Sequence, residues 1–241
     1  MQCLSCDKIN DIEIEHNTLN NGSLKFICLT ETWCNQDSVM SFKINNFNLA
    51  SYFCRSSSIH GGVCIYARIG LDIFAIDLSQ YCIEKEFEVC GVKWIYNGFK
   101  FVILTCYRSP SSDPKSFYDN IYNVMNDMFD NEIIFIVCGD FNFDCYDVSK
   151  EFIELRNVLS IFDLEYRVRW PTRICDTCVS TIDNIFTNSN ISGTCCVVDN
   201  IISDHRTILF ELNFNARVNK VCTTSKRVFD SYKWDLFIYM L

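Results

Sequence analysis

The chain has little of what divides, anchors or exports a protein. Only 3 prolines occur in 241 residues. No Ser/Gly stretch or charge block separates one part from another, so the sequence reads as one main domain. No internal repeat is visible, which excludes a solenoid or propeller. Long apolar runs are missing, and those present stop far short of the roughly 20 residues that a membrane helix needs. The amino terminus, Met1-Gln2-Cys3-Leu4-Ser5-Cys6-Asp7-Lys8, has no apolar signal core. These absences imply a soluble chain inside the cell, in the nucleus or cytoplasm.

Positive charge is also in deficit. Lys and Arg number 21 against 30 Asp and Glu, a net charge of −9. That sign is wrong for a chain that holds nucleic acid by its whole surface. A local patch can still bind, and acidic groups around a cation present a less negative face than their count suggests. Histidine is scarce, with 3.

Apolar and aromatic residues are plentiful, at 49% and 15%, which is a globular composition. The 16 cysteines invite a zinc or disulfide reading. Cys3/Cys6 and Cys175/Cys178 have C-x-x-C spacing, but each pair is half a zinc site with no histidine at ligand spacing beside it. Cys28, Cys64, Cys90, Cys106 and Cys138 interrupt apolar runs, where free Cys behaves as a small hydrophobe. Neither zinc nor a disulfide framework is expected.

Periodicity supplies the elements. Ile9, Ile12, His16 and Leu19 share one helical face, and Asn20-Asn21-Gly22 would end that helix. Phe26 to Leu29 reads as a buried strand, followed by strand-like runs over 47–53, 62–67, 71–76, 87–96 and 101–107. Phe117, Ile121, Val124, Met125 and Met128 form a second helical stripe. The run 132–138 is another strand, and Phe152, Leu155, Val158, Leu159 and Phe162 a third helical stripe. Later strands cover 180–186, 195–198 and 207–213. Hairpin-like neighbours mixed with helical crossovers fit two sheets packed face to face with helices outside.

Five short motifs stand at the ends of these strands. They are Thr30-Glu31-Thr32-Trp33, Cys106-Tyr107-Arg108-Ser109-Pro110, Gly139-Asp140-Phe141-Asn142, Ser180-Thr181-Ile182-Asp183-Asn184-Ile185-Phe186 and Ser203-Asp204-His205. Singly, each has a plain structural explanation. Asp140 and Asn142 suit a turn, Glu31 an exposed strand end, Tyr107 a rim aromatic and Asp183 a loop cap. Together they place carboxylates, an amide, a phenol and an imidazole where rigid strands meet loops. Metal-assisted cleavage of a phosphodiester needs that layout.

The ordered series resembles the endonuclease/exonuclease/phosphatase superfamily, and within it the apurinic-type endonuclease domain of non-LTR retrotransposons. The Pro171-Thr172-Arg173 loop and the Gly61-Gly62-Val63 turn add to the closer resemblance. It implies an α/β fold, a four-layer α/β/β/α sandwich of two packed mixed sheets with outer helices. It implies a domain over residues 1–214 that begins after the family's first strand and lacks that strand's Asn, then a linker or truncated tail over 215–241.

The resemblance also implies roles. Glu31 would be the main Mg²⁺ ligand, with Asp204 a further carboxylate near the metal and Mn²⁺ an alternative ion. Asp140 would orient or deprotonate the attacking water, Asn142 hold a phosphate oxygen and Tyr107 sit near the scissile phosphate. His205 would stabilise the pentacovalent phosphate, with Asp183 holding it in place. Arg108, Arg173 and Arg206 are candidate DNA contacts. The implied activity is nicking of DNA to prime reverse transcription, with a reverse-transcriptase module in a full-length parent. Two rivals stay open: an inactive relic of the domain, and a phosphatase or phosphodiesterase for a small substrate.

Overall fold

The structure, a computed structural model, describes residues 4–19 (backbone alone at 16–19), 23–58, 60–146, 149–175, 178–200 and 202–213. The helix stop at 20–22 and the tail 215–241 lie outside the described residues. The chain runs through α1 (Cys6–Leu19), β1 (Phe26–Thr30), α2 (Gln36–Ser41), β2 (Phe47–Phe53), β3 (Val63–Arg68), β4 (Ile73–Ile76), β5 (Glu88–Tyr96) and β6 (Phe99–Tyr107). It continues through α3 (Pro114–Met128), β7 (Ile133–Asp140), α4 (Lys150–Ser160), β8 (Leu164–Tyr166), β9 (Arg173–Cys175), β10 (Cys178–Ser180), β11 (Asp183–Asn188), β12 (Gly193–Val198) and β13 (Thr207–Leu212).

Strand periodicity builds the layers. Side chains alternate across a pleated strand, so each central strand feeds two cores. In β6, Val102, Leu104 and Cys106 face α3 and α4, while Phe101, Ile103 and Tyr107 face the other sheet. In β3, Val63 and Ile65 face inward between the sheets, while Cys64 and Tyr66 pack with Ile9 and Ile12 of α1 and Val39 of α2. The result is the four-layer α/β/β/α sandwich that the motifs implied.

One sheet has the order β1-β3-β2 and the other β4-β5-β6-β7-β11-β8. The second is mixed: β6 and β7 run parallel, while the other neighbours in it are antiparallel. A parallel pair needs a crossover, and α3 supplies it. That helix starts where Asp113 accepts bonds from the amides of Lys115 and Ser116, with Pro114 at its first position. Two further ladders, β12–β13 and β9–β10, are antiparallel hairpins.

The short elements α2, β8 and β9 were not apparent from periodicity, because six or three residues carry too little of it. A disulfide joins Cys175 and Cys178, contrary to the expectation that the cysteines are unpaired. The hairpin makes these two residues register partners with Cα atoms 5.1 Å apart, within bridging reach. Among the described residues, no helix is long and apolar enough to cross a membrane.

Candidate active site

Sheet register assembles the site. Tyr107 at the end of β6 pairs with Asp140 at the end of β7, and Asp140 pairs with Asp183 at the start of β11. The three stand side by side at one rim of the six-stranded sheet. Tyr107 belongs to the core between the sheets. Gly139 lets β7 end this way: with φ at +146°, its missing Cβ would fall 1.8 Å from the Cys106 carbonyl oxygen. Beyond the strand, the Asn142 amide donates to Asp140 Oδ1 at 3.0 Å, and the Asn142 side chain donates to the Arg108 carbonyl at 2.6 Å.

The opposite sheet supplies Glu31, just past β1. The Tyr107 hydroxyl donates to Glu31 Oε1, so the phenol links the two sheets at the rim. Glu31, Trp33 and Asn142 have φ of +52°, +55° and +50°. Left-handed backbone at non-glycine residues is uncommon and gathers where geometry is over-determined, as in active sites.

His205 enters from the loop before β13. Its Nδ1 lies 2.9 Å from Asp183 Oδ2 and 3.1 Å from Oδ1. An ionised carboxylate only accepts, so Nδ1 carries the proton and Nε2 is left for other chemistry. Two residues outside the sequence-based set hold this arrangement. Thr172 Oγ1 accepts from the amides of Ile182 and Asp183, both at 3.2 Å, and its carbonyl accepts from the Arg206 amide at 2.7 Å. Asn200 donates to the His205 carbonyl at 2.9 Å and to Thr207 Oγ1 at 2.8 Å. The Pro171-Thr172-Arg173 motif pointed at the first; nothing in the sequence marked Asn200.

Electrostatics follow from burial. Asp140 is 4% exposed. Desolvation, followed by the nearby Asp183 charge, pushes its carboxyl up to about 8. Burial works against a charged His205, but the bond and charge of Asp183 outweigh it and raise the imidazole above its ordinary value. Desolvation and then the bond to Glu31 push the Tyr107 phenol well above its usual range, so it stays a donor.

Asp140, Asp183 and His205 bring ligand atoms within 4.8 Å of one another. The carboxylates offer hard oxygens, and Asp140 with Asp183 is a crowding of negative charge that a divalent cation would relieve, while the imidazole, bonded to Asp183, serves as a donor rather than a ligand. The residues therefore fit a metal. Asp204 stands outside that cluster. Its Oδ2 meets Arg173 Nη2 at 2.8 Å and Nε at 2.9 Å. Burial opposes ionisation there, but Arg173 and His205 hold the carboxyl below its usual value. Arg108 is buried, donating to the Ser112 carbonyl at 2.7 Å and lying 4.2 Å over the Phe143 ring. Arg206 pairs with Asp199 at 2.7 Å.

The sequence profile of the Endonuclease/Exonuclease/phosphatase family matches residues 17–205. No curated protein matches the chain by sequence. Among solved structures, the endonuclease domain of TRAS1, a telomere-specific non-LTR retrotransposon, superimposes with a TM-score of 0.66 at 15% identity, covering 87% of this chain and 94% of that one. TDP2 of D. rerio, complexed with a single-strand DNA product, gives 0.61 at 14% identity, with 86% and 92% covered. The mannosyl-6-phosphatase Bt3783 of Bacteroides thetaiotaomicron VPI-5482 gives 0.59 at 13% identity, with 88% and 96% covered. With that profile spanning most of its length and the fold to match, the chain belongs to the Endonuclease/Exonuclease/phosphatase family.

Proposed function

We propose that the chain is a divalent-cation-dependent endonuclease that nicks DNA, of the kind non-LTR retrotransposons carry. Its activity resides in residues 1–214. It works in the nucleus or cytoplasm with a reverse-transcriptase module of a longer parent. The observation that carries this reading is the row Tyr107–Asp140–Asp183 across three adjacent strands, joined by His205 at one end and Glu31 at the other. The likeness to the TRAS1 endonuclease domain supports the retrotransposon branch.

Each side chain has work suited to its surroundings. Asp140, raised to about 8, suits a base that orients the attacking water and takes its proton near neutral pH. Asn142 spends one amide hydrogen on Arg108 and would offer the other to a phosphate oxygen. His205, whose hold on a proton is strengthened by Asp183, would lie against negative charge growing on the phosphoryl oxygens. Tyr107 would donate near the scissile phosphate. Bound Mg²⁺, or Mn²⁺ in its place, offsets phosphate charge and lowers the pKa of water. Glu31 would be its main ligand, with Asp204 a further carboxylate. Arg173 would reach a DNA phosphate by leaving Asp204, and Arg108 would serve the DNA side through Asn142.

Plasmid nicking in Mg²⁺ tests this reading. The wild type should convert supercoiled to open circular DNA, and Asp140→Ala and His205→Ala should each lose about 10²–10⁴ of the rate. Equal nicking by all three would reject it. The net charge of −9 favours a second reading, a small phosphorylated substrate. Phosphate release from inositol phosphates or lipid head groups, without nicking, would select that one. A folded chain that does neither is an inactive relative.

A further inference from the structure

The row of in-register residues does not stop at Tyr107. Its partner on the far side, across β5 and β6, is Glu88. Glu88 is fully buried and pairs with Arg55, whose side chain is 5% exposed. Taking both charges out of water costs several kcal/mol, and such a pair often stabilises a fold no more than apolar residues of the same size. Its best-attested use is to fix one arrangement over others.

The partners of this pair lead to both sides of the site. Toward β6, Arg55 Nη2 donates to Ser109 Oγ at 2.8 Å, and its Cζ lies 5.9 Å from the centre of the Tyr107 ring. Toward β1, the Gly62 amide donates to Glu88 Oε2 at 2.6 Å. The guanidinium also fills the space over Gly61, where a Cβ would meet it at 2.4 Å. The Gly61 and Gly62 carbonyls then accept from the Trp33 and Thr32 amides at 2.8 and 3.3 Å. Those amides follow Glu31, the residue held at φ +52°.

We propose that Arg55 and Glu88 are positioning residues, a buried strut that sets Glu31 and Tyr107 relative to each other and so tunes divalent-cation binding. The proposal rests on the reading of Glu31 as the metal-holding carboxylate. Outer partners of this kind change metal affinity by about 10–100-fold when lost.

The test measures Mn²⁺ binding to the DNA-free protein by electron paramagnetic resonance, beside melting temperature and Mg²⁺-dependent nicking. Arg55→Lys and Glu88→Gln should fold and bind Mn²⁺ about 10–100-fold more weakly. Nicking by both should need correspondingly more Mg²⁺. The apolar pair Arg55→Met with Glu88→Leu removes both charges but leaves the Gly62 amide without its acceptor, so it should melt somewhat lower, stay folded and still bind weakly. In a Glu31→Gln background, Arg55→Lys should weaken binding no further. Unchanged affinity in folded variants, affinity that returns with the apolar pair, or additive losses with Glu31→Gln would each overturn the proposal. A wild type that binds Mn²⁺ but nicks no DNA would sink the endonuclease reading and leave the strut to be judged on affinity. A wild type that binds no cation would overturn both.

Discussion

Asp140 shows what the site costs the fold. Its carboxyl rises from an ordinary 3.8 to about 8, through desolvation first and the Asp183 charge second. The folded state therefore holds a proton that the unfolded state releases. The stabilising contribution is complete below about pH 4 and is lost as pH rises through 8. Asp140→Asn should make the metal-free protein more stable, by about 1–2 kcal/mol near neutral pH, and less so at pH 5. Thermal melts at the two pH values check it; a variant that melts lower at pH 8 would refute the argument. His205 offers a second check. Its raised pKa depends on Asp183, since burial alone would lower it. In Asp183→Asn the imidazole should titrate below its ordinary value and be neutral at pH 7, as followed by NMR of the ring protons. Nicking should fall with it.

At the scale of elements, the site depends on three strands ending level. Gly139 is the point where β7 passes closest to β6. A methyl group there would overlap backbone rather than a movable side chain. Gly139→Ala should therefore destabilise the protein by about 2–4 kcal/mol, at the upper end of single substitutions, and displace Asp140. A denaturant titration measures the first effect. Restoring stability elsewhere should not restore nicking. The turn at Gly61–Gly62 plays a similar part for β1, since its carbonyls hold the residues after Glu31. Much of this level was legible beforehand: the long strands and the stripes of α3 and α4 lie where periodicity placed them. The three-residue strands β8 and β9 were not, because three residues show no alternation of their own: β8 exists by pairing with β11 some way along the chain, and β9 by a tight hairpin with β10.

At the scale of the whole molecule, the net charge of −9 sets how the proposed DNA substrate would be held. Beside the site, Arg173 and Arg206 are already paired with Asp204 and Asp199. Few phosphates can be neutralised, so the slope of log affinity against log salt should be no steeper than about −3, at roughly −0.9 per phosphate. Binding of a labelled duplex across salt concentrations measures it. A slope near −8 would mean many phosphates neutralised at once and would refute the argument.

The sequence alone determined the order of the motifs and the layered α/β class, and the resemblance those motifs carry named Asp140, Asp183 and His205 together. The class follows from local chemistry, because apolar alternation makes strands and the 3.6-residue stripe makes helices. Tertiary structure decided what touches what. Register placed Glu88, Tyr107, Asp140 and Asp183 in one row, gave Asp204 to Arg173 and buried Arg108. No local pattern encodes these pairings, because each depends on backbone segments that meet only when the two sheets close on each other.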